Sequence, residues 1–327
     1  MPGRTWPPEP GTFRSPLGSL ALARGTLDRA SHRRGDDEWL AKTWADPQTR
    51  VLVIDDGRAL VRFGGNRPEL VLIPPAQAPD GPRFLLGVDA GSRAYFTVMA
   101  ALPASNGRRG VEPAGLRRVG ALLGDRDAGL LTHAAGLANW HATHTHCPRC
   151  GALTDPVMSG AARVCRVDGS EHFPRTDPAV IMAVTDPDDR LLLARGPDWG
   201  QRRMSVLAGF VEPGESAERA VAREVAEETG ITVGEVRYLG SQPWPLPRSL
   251  MLGFWARALG GQRIRVDSEE IAEAHWFSRA ELRAALDAGD LGLPGAVSIA
   301  HRIIEAWYGD ELPSAWTSRA GPANPSS

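Results

Sequence analysis

At 327 residues the chain is about twice the length of a typical domain, so two domains with a small appendage fit it and a lone mini-domain does not. Hydrophobic residues make up 42 % and charged residues 23 %, ordinary globular proportions that exclude wholesale disorder and a collagen-like chain. With 37 basic against 39 acidic residues the net charge is -2, so no global field draws the chain to nucleic acid or an anionic membrane, and any such partner needs a local patch.

Lys42 is the only lysine, so the positive charge is almost all arginine, which suits a bidentate grip on phosphate or carboxylate and equally suits a biased base composition. No stretch approaches the ~18 to 20 apolar residues of a membrane-spanning helix. The short apolar segment at 17–23 is interrupted by Gly18 and Ser19 and preceded by prolines and Glu9, which is not the pattern of a signal core. A cytoplasmic protein without membrane contact is expected. Three cysteines, Cys147, Cys150 and Cys165, fall inside nineteen residues, an odd count that suits a reducing compartment and metal ligation better than disulfides.

In chain order, residues 1–15 are rich in Pro, Gly and Arg and read as a flexible tail. A domain of α+β type is expected over 16–143. It opens with β-type runs at 51–54, 59–63, 70–73, 84–88 and 95–100, broken by Gly, Pro and Asp, which predict an antiparallel β region. The spacing then turns helical over 115–140, with Leu116, Val119, Leu122, Leu123, Leu130, Leu131 and Leu137 on apolar positions and an interruption at 124–127, so two helices are predicted.

Residues 144–174 form a separate segment. Cys147-Pro-Arg-Cys150 and Cys165-Arg-Val-Asp168, with fourteen residues between them, resemble a zinc ribbon whose fourth cysteine is replaced by Asp168. Carboxylate oxygen is an acceptable zinc ligand, and His144, His146 and His172 are alternatives for the fourth place. A closed tetrahedral site of this kind is structural and leaves no position for catalysis. The competing reading is a metal-free knuckle of buried thiols.

From 175 to 310 strands are predicted at 179–184, 191–194 and 250–257 and helices at 216–229, 279–288 and 296–307, mixed without regular alternation, which favours an α+β sandwich over a doubly wound sheet. Residues 311–327 read as a second flexible tail. Within this region Pro213 and Gly214 form a turn, Ser216 can cap a helix, and Gly230 can close it in the left-handed conformation. At ~100° per residue Glu224, Glu227 and Glu228 fall on one side of that helix, where like charges repel. A hard divalent cation, Mg²⁺ or Mn²⁺, held by clustered oxygens explains the crowding, and a solvated acidic face is the plain alternative.

The pattern Gly209-x5-Glu215-x7-Arg223-Glu224-Val225-x-Glu227-Glu228-x-Gly230-Ile231 fills every fixed position of the Nudix box. The chain therefore resembles the Nudix hydrolases, which cleave a nucleoside diphosphate linked to another moiety. The resemblance implies an α/β/α sandwich with a mixed sheet, box glutamates that hold divalent cations, and Glu215 with Arg223 as a structural pair. Metal ions suit this chemistry because they neutralise a pyrophosphate, orient an attacking water and stabilise the leaving oxygen.

Beyond the box, Ser241-Gln242-Pro243-Trp244-Pro245-Leu246-Pro247-Arg248-Ser249 is a stiff loop with little entropy to lose on binding. It is similar to the signature of the NADH pyrophosphatase branch of the family, with Leu246 where that signature has phenylalanine. The likeness extends to His172-Phe173-Pro174-Arg175-Thr176-Asp177-Pro178 and to Glu270 within Asp267-Ser-Glu-Glu270. It implies Glu270 as an added metal ligand or base, with Glu269 and Glu273 as neighbours that could be mistaken for it. It also implies Phe173 and Phe210 as base-stacking aromatics, Phe173 reaching across a homodimer, and Gln242 and Ser249 as polar substrate contacts. Without the resemblance both phenylalanines would be read as core.

The expected protein is a metal-dependent hydrolase that splits the pyrophosphate of NADH or NAD⁺ into nicotinamide mononucleotide and AMP, and by the same bond cleavage removes NAD caps from RNA 5′ ends. Hydrolysis of another substrate such as ADP-ribose is the nearest rival. A ribbon-based nucleic-acid or protein reader with a vestigial hydrolase domain is the rival of another class. The segment before residue 140 matches the family loosely, in Leu27-Asp28-Arg29-Ala30 and Trp140-His141, and is expected to be a scaffold.

Overall fold

The computed structural model of the protein describes residues 15–104 and 109–313. The chain divides into two compact units; among described residues one comprises Leu22–Thr176 with Pro243–Ser249, and the other comprises 15–21, Asp177–Gln242 and 250–313. The expected tails at 1–15 and 311–327 lie almost wholly outside the described residues. Where their inner ends are described they are anchored: the Ser15 hydroxyl donates to the Leu239 carbonyl at 2.7 Å and Leu312 is buried.

In the first unit helix α1 (Asp37–Ala45) starts at Asp36, whose carboxylate accepts from the Trp39 amide. Strands β1 (Arg50–Ile54), β4 (Arg83–Val88) and β5 (Ala94–Met99) form one sheet in the order β1-β5-β4, and β2 (Arg58–Arg62), β3 (Glu69–Leu70) and β6 (Val111–Gly115) form another in the order β3-β2-β6. The expectation of an antiparallel region needs correction, because β1 runs parallel to β5 with Leu52 opposite Thr97. Apolar periodicity shows that a strand exists but not its direction, and the long excursion through β2 to β4 permits the parallel return. The two predicted helices appear as α2 (Leu116–Val119) and α3 (Asp125–Thr143), and α3 buries Leu130, Leu131, Ala134, Leu137 and Trp140.

The cysteine segment packs within this same unit as β7 (Thr154–Val157), β8 (Ala162–Cys165) and β9 (Glu171–His172). The buried Arg163 of β8 donates to the Thr154 hydroxyl at 2.7 Å and to Nδ1 of His141 on α3 at 2.9 Å. That bond leaves Nε2 of His141 as the ring donor to the Gly160 carbonyl at 2.9 Å. Burial, opposed by that carbonyl and reinforced by the Arg163 charge, lowers the imidazole to about 4, so His141 is neutral at physiological pH.

The second unit is built on a six-stranded sheet in the order β13-β14-β10-β11-β15, with β12 paired to β10. The strands are β10 (Asp177–Thr185), β11 (Leu191–Arg195), β12 (Leu207–Phe210), β13 (Val233–Trp244), β14 (Ser249–Ala258) and β15 (Glu273–Phe277). Alternation along β10 and β11 decides the layers. Val180, Met182, Val184 and Leu192 join one core with Ala220, Val221 and Val225 of helix α4 (Ala217–Thr229). Ile181, Ala183, Leu191 and Leu193 join the opposite core, with Leu282 and Leu286 of α5 (Arg279–Ala288) and Ile299, Ile303 and Ile304 of α6 (Ile299–Tyr308). Helices cover both faces of the sheet, which is the expected α/β/α sandwich within an α+β chain. Among the described residues no helix is long and apolar enough to cross a membrane.

Candidate active site

Helix α4 carries the site. The Ser216 side chain accepts from the Arg219 amide at its start and Gly230, at φ 67°, ends it in the left-handed region, as the sequence predicts. Because Ala220, Val221 and Val225 are buried, Glu224 and Glu228, one helical turn apart on the adjoining stripe, are drawn to the edge of the core, 9 % and 7 % exposed. Glu227 points outward and is exposed.

The neighbouring strand makes room for this. A β-carbon on Gly209 of β12 would stand 1.9 Å from Cδ of Glu224, so the Glu224 carboxylate occupies the space a side chain there would fill. Gly209→Ala is therefore expected to push Glu224 out of place and lower turnover about 10- to 100-fold while the fold persists, measurable by steady-state kinetics beside circular dichroism.

Arg223 ties the parts together. Its Nε and Nη2 bind the Glu215 carboxylate bidentately at 2.9 and 2.8 Å, Nη1 donates to Glu224 at 2.8 Å and Glu227 at 2.9 Å, and Nη2 also donates to the Phe210 carbonyl at 2.9 Å. Loop, strand and helix are thus fixed to one planar cation, a task for a fork of five donors. The structure bears out the expected Glu215–Arg223 pair and adds Phe210 to it through its backbone.

Burial, and then the charges of Glu224, Glu270 and Glu227, push the Glu228 carboxyl up to about 8. Burial also raises Glu224, against the pull of Arg223. Oε2 of Glu228 is buried without a hydrogen-bond partner among the described residues. An orphaned carboxylate oxygen amid other carboxylates is what a hard cation relieves, so these residues fit a divalent cation. Glu270 is exposed in the turn after Asp267, whose amide bonds to the Glu228 carbonyl at 3.1 Å, and its charge acts on both Glu224 and Glu228. Glu273 is committed instead to Arg195, at 2.7 Å, while Glu269 is exposed. Of the three neighbouring glutamates, Glu270 has the electrostatic link to the box.

Phe173 and Phe210 are 64 % and 59 % exposed, so neither is a core residue. Gln242 is fully buried and its amide donates to the Val297 carbonyl at 3.0 Å, an anchor at the end of β13; Ser249 is half-buried at the start of β14. Asn139 of α3 escaped the sequence reading altogether. It binds the carbonyls of Pro245 and Pro247, and no periodicity or motif signals such a contact across more than a hundred residues.

The cysteine cluster forms as expected. One donor atom from each of Cys147, Cys150, Cys165 and Asp168 can be chosen so that all lie within 4.8 Å of one another. The two halves repeat one geometry. Gly151 and Gly169 follow them at φ 75° and 66°, bonding back to the carbonyls of Cys147 and Cys165, and the amides of Arg149 and Val167 each lie 3.4 Å from the Cys147 and Cys165 sulfurs. Asp168 stands where the symmetry calls for a fourth cysteine. Hydrogen bonds from the Ser170 hydroxyl and amide hold its carboxyl well below the usual carboxylate range, ready to bind a cation. His144, His146 and His172 are not in this group.

A family model described as NUDIX domain matches residues 175–293, and one described as NADH pyrophosphatase-like rudimentary NUDIX domain matches residues 48–140. The NAD-capped RNA hydrolase NudC of Mycobacterium bovis (strain BCG / Pasteur 1173P2) is 45 % identical over 302 residues, covering 88 % of this chain and 94 % of that protein. The NAD-capped RNA hydrolase NUDT12 of Pongo abelii is 32 % identical over 336 residues, 88 % of this chain and 72 % of that one. Among solved structures, a Nudix hydrolase from Nitrosomonas europaea is similar with a TM-score of 0.40 at 19 % identity, covering 51 % of this chain and 94 % of that chain.

Proposed function

The chain belongs to the Nudix hydrolase family, and on that premise we propose that it hydrolyses the pyrophosphate bond of NADH and NAD⁺ to nicotinamide mononucleotide and AMP and removes NAD caps from RNA 5′ ends. The observation that carries the reading is the seating of Glu224 and Glu228 at the core edge, one over Gly209 and the other with an orphaned oxygen. The names of the relatives direct that chemistry to NAD-capped RNA, and the description of the family model matched at 48–140 directs it to NADH.

Glu224, Glu227, Glu228 and Glu270 hold Mg²⁺ or Mn²⁺. A bound divalent cation supplies charge neutralisation at the pyrophosphate and lowers the pKa of water. The chain's own part is to hold Glu224 and Glu227 through Arg223 and to dispose of the proton of the attacking water. Glu228, whose burial raises its proton affinity, and Glu270, which is open to solvent, are the two candidates for that base. Phe173 and Phe210 offer exposed rings for stacking on a flat heterocycle, and Gln242 and Ser249 flank the proline loop. The protein works in the cytoplasm as a homodimer.

The test incubates purified protein with NADH, NAD⁺, ADP-ribose and 5′-NAD-RNA, with and without Mg²⁺ or Mn²⁺, and separates products by chromatography. Metal-dependent release of nicotinamide mononucleotide is expected. Faster cleavage of ADP-ribose than of NADH overturns the substrate assignment, and binding without any product favours the vestigial reader.

Cys147, Cys150, Cys165 and Asp168 hold a structural Zn²⁺. Protein purified without chelator is expected to carry zinc by elemental analysis, and Cys165→Ser to lose it and melt at lower temperature. Wild-type protein free of zinc and as stable as before points to the metal-free knuckle.

A further inference from the structure

The proline loop Pro243–Ser249 belongs to the same compact unit as α3. Pro243, Pro245 and Pro247 have no amide hydrogen, so this stretch, which turns between β13 and β14, is rich in carbonyl acceptors and poor in donors. Within it the Leu246 amide donates to the Trp244 carbonyl at 2.8 Å. The carbonyls that remain on either side of Leu246 are satisfied from outside: Nδ2 of Asn139 donates one hydrogen to Pro245 O at 2.9 Å and the other to Pro247 O at 3.0 Å.

Two further contacts come from the same region of the chain. Gly136 lies one turn before Asn139, and a β-carbon there would sit 3.6 Å from Cβ of the buried Pro245, so the helix backbone passes close beneath the loop. The Arg117 guanidinium lies 5.7 Å from the centre of the Trp244 ring.

We propose that Asn139 is a positioning residue that sets the conformation of the Ser241-to-Ser249 signature loop, so that helix α3 of the N-terminal region acts as a determinant of dinucleotide specificity beyond being a scaffold. The physical reason is pre-organisation: a loop already held in its binding shape loses less entropy when substrate arrives. The proposal rests on the reading of the protein as an NAD(H) hydrolase with this loop at its substrate.

Asn139→Asp keeps the size of the side chain but replaces the donating amide with a carboxylate facing two carbonyls. It is expected to raise KM for NADH about tenfold while kcat stays within about threefold. Exchange of the Leu246 and Arg248 amides, followed by hydrogen–deuterium exchange on peptides spanning 241–249, is expected to accelerate about tenfold, with the rest of the chain unchanged. Asn139→Gln, which retains both hydrogens, is expected to recover part of both effects. If Asn139→Asp does not fold, Asn139→Ala removes the donors without adding charge and takes its place.

An unchanged KM together with unchanged exchange across 241–249 in a folded variant overturns the proposal. Equal loss of kcat and stability with no KM component also overturns it, since a merely structural residue gives that result. Wild-type protein that does not hydrolyse NADH defeats the functional reading alone, and the exchange measurement still decides whether Asn139 shapes the loop.

Discussion

Replacing Glu228 by glutamine is expected to lower metal-dependent turnover about 100-fold or more while making the metal-free protein more stable. The two effects share one cause. In the folded, metal-free chain the carboxylate is buried beside Glu224, Glu270 and Glu227, and its pKa is raised from 4.5 to about 8. A carboxyl group raised in the folded state binds more protons there than in the unfolded state, so stability falls as pH rises from the unfolded value to the folded one. The penalty is absent below about pH 4.5, grows across the interval and is complete near pH 8. Glutamine carries no charge and is exempt. The expected result is a melting temperature for Glu228→Gln that matches wild type near pH 4.5 and exceeds it by about 5 °C at pH 8, a gain on the order of 2–3 kcal/mol. Mn²⁺ should close the gap by stabilising wild type selectively. A mutant no more stable than wild type at pH 8 in chelator contradicts the burial of an uncompensated charge at this position.

Arg223→Ala is expected to be the most damaging single change on the surface of α4. The side chain makes bonds to Glu215, Glu224, Glu227 and the Phe210 carbonyl, and alanine leaves three carboxylates facing one another without their common counter-ion. Turnover should fall about 100-fold, and the melting temperature should drop as well, in contrast to Glu228→Gln. Arg223→Lys is expected to restore little, because an ammonium group cannot span Glu215 bidentately while reaching the other partners. The loss of stability should shrink in acid. Glu215 is held below its usual pKa by Arg223, so this stabilisation is present above the unfolded value and disappears as pH falls through the folded one. Thermal melts at pH 7.5 and near pH 3 check this: a difference from wild type that is equal at both values excludes the ionic mechanism.

Much of the second unit could be read from residue pattern because its signals are local. The turn at Pro213 and Gly214, the Ser216 cap, the glycine stop and the run of box residues all act within one helix, and the helix forms where they say. Strands β10 and β11 were legible for the same reason, being apolar on both faces. Strands at sheet edges were not. β13 contains Gly234, Glu235, Arg237, Gly240 and Pro243, and β6 contains Pro113, a composition that edge positions tolerate and that reads as loop. Helix α1 was also missed, although Asp36 before an acidic first turn and Lys42 in the last was a usable signal.

The sequence by itself determined which residues could do the chemistry: the spacing of Glu224, Glu227 and Glu228 fixes their helical side, and the two Cys-x-x-Cys-like halves fix a knuckle geometry, because both depend only on neighbours along the chain. Tertiary structure decided what those residues become. Burial against the sheet raises Glu228, the bare backbone of Gly209 admits the Glu224 carboxylate, and Asn139, 106 residues before Pro245, supplies the donors that the prolines lack. Desolvation and long-range hydrogen bonding depend on distances between remote parts of the chain, and those distances exist only once it has folded.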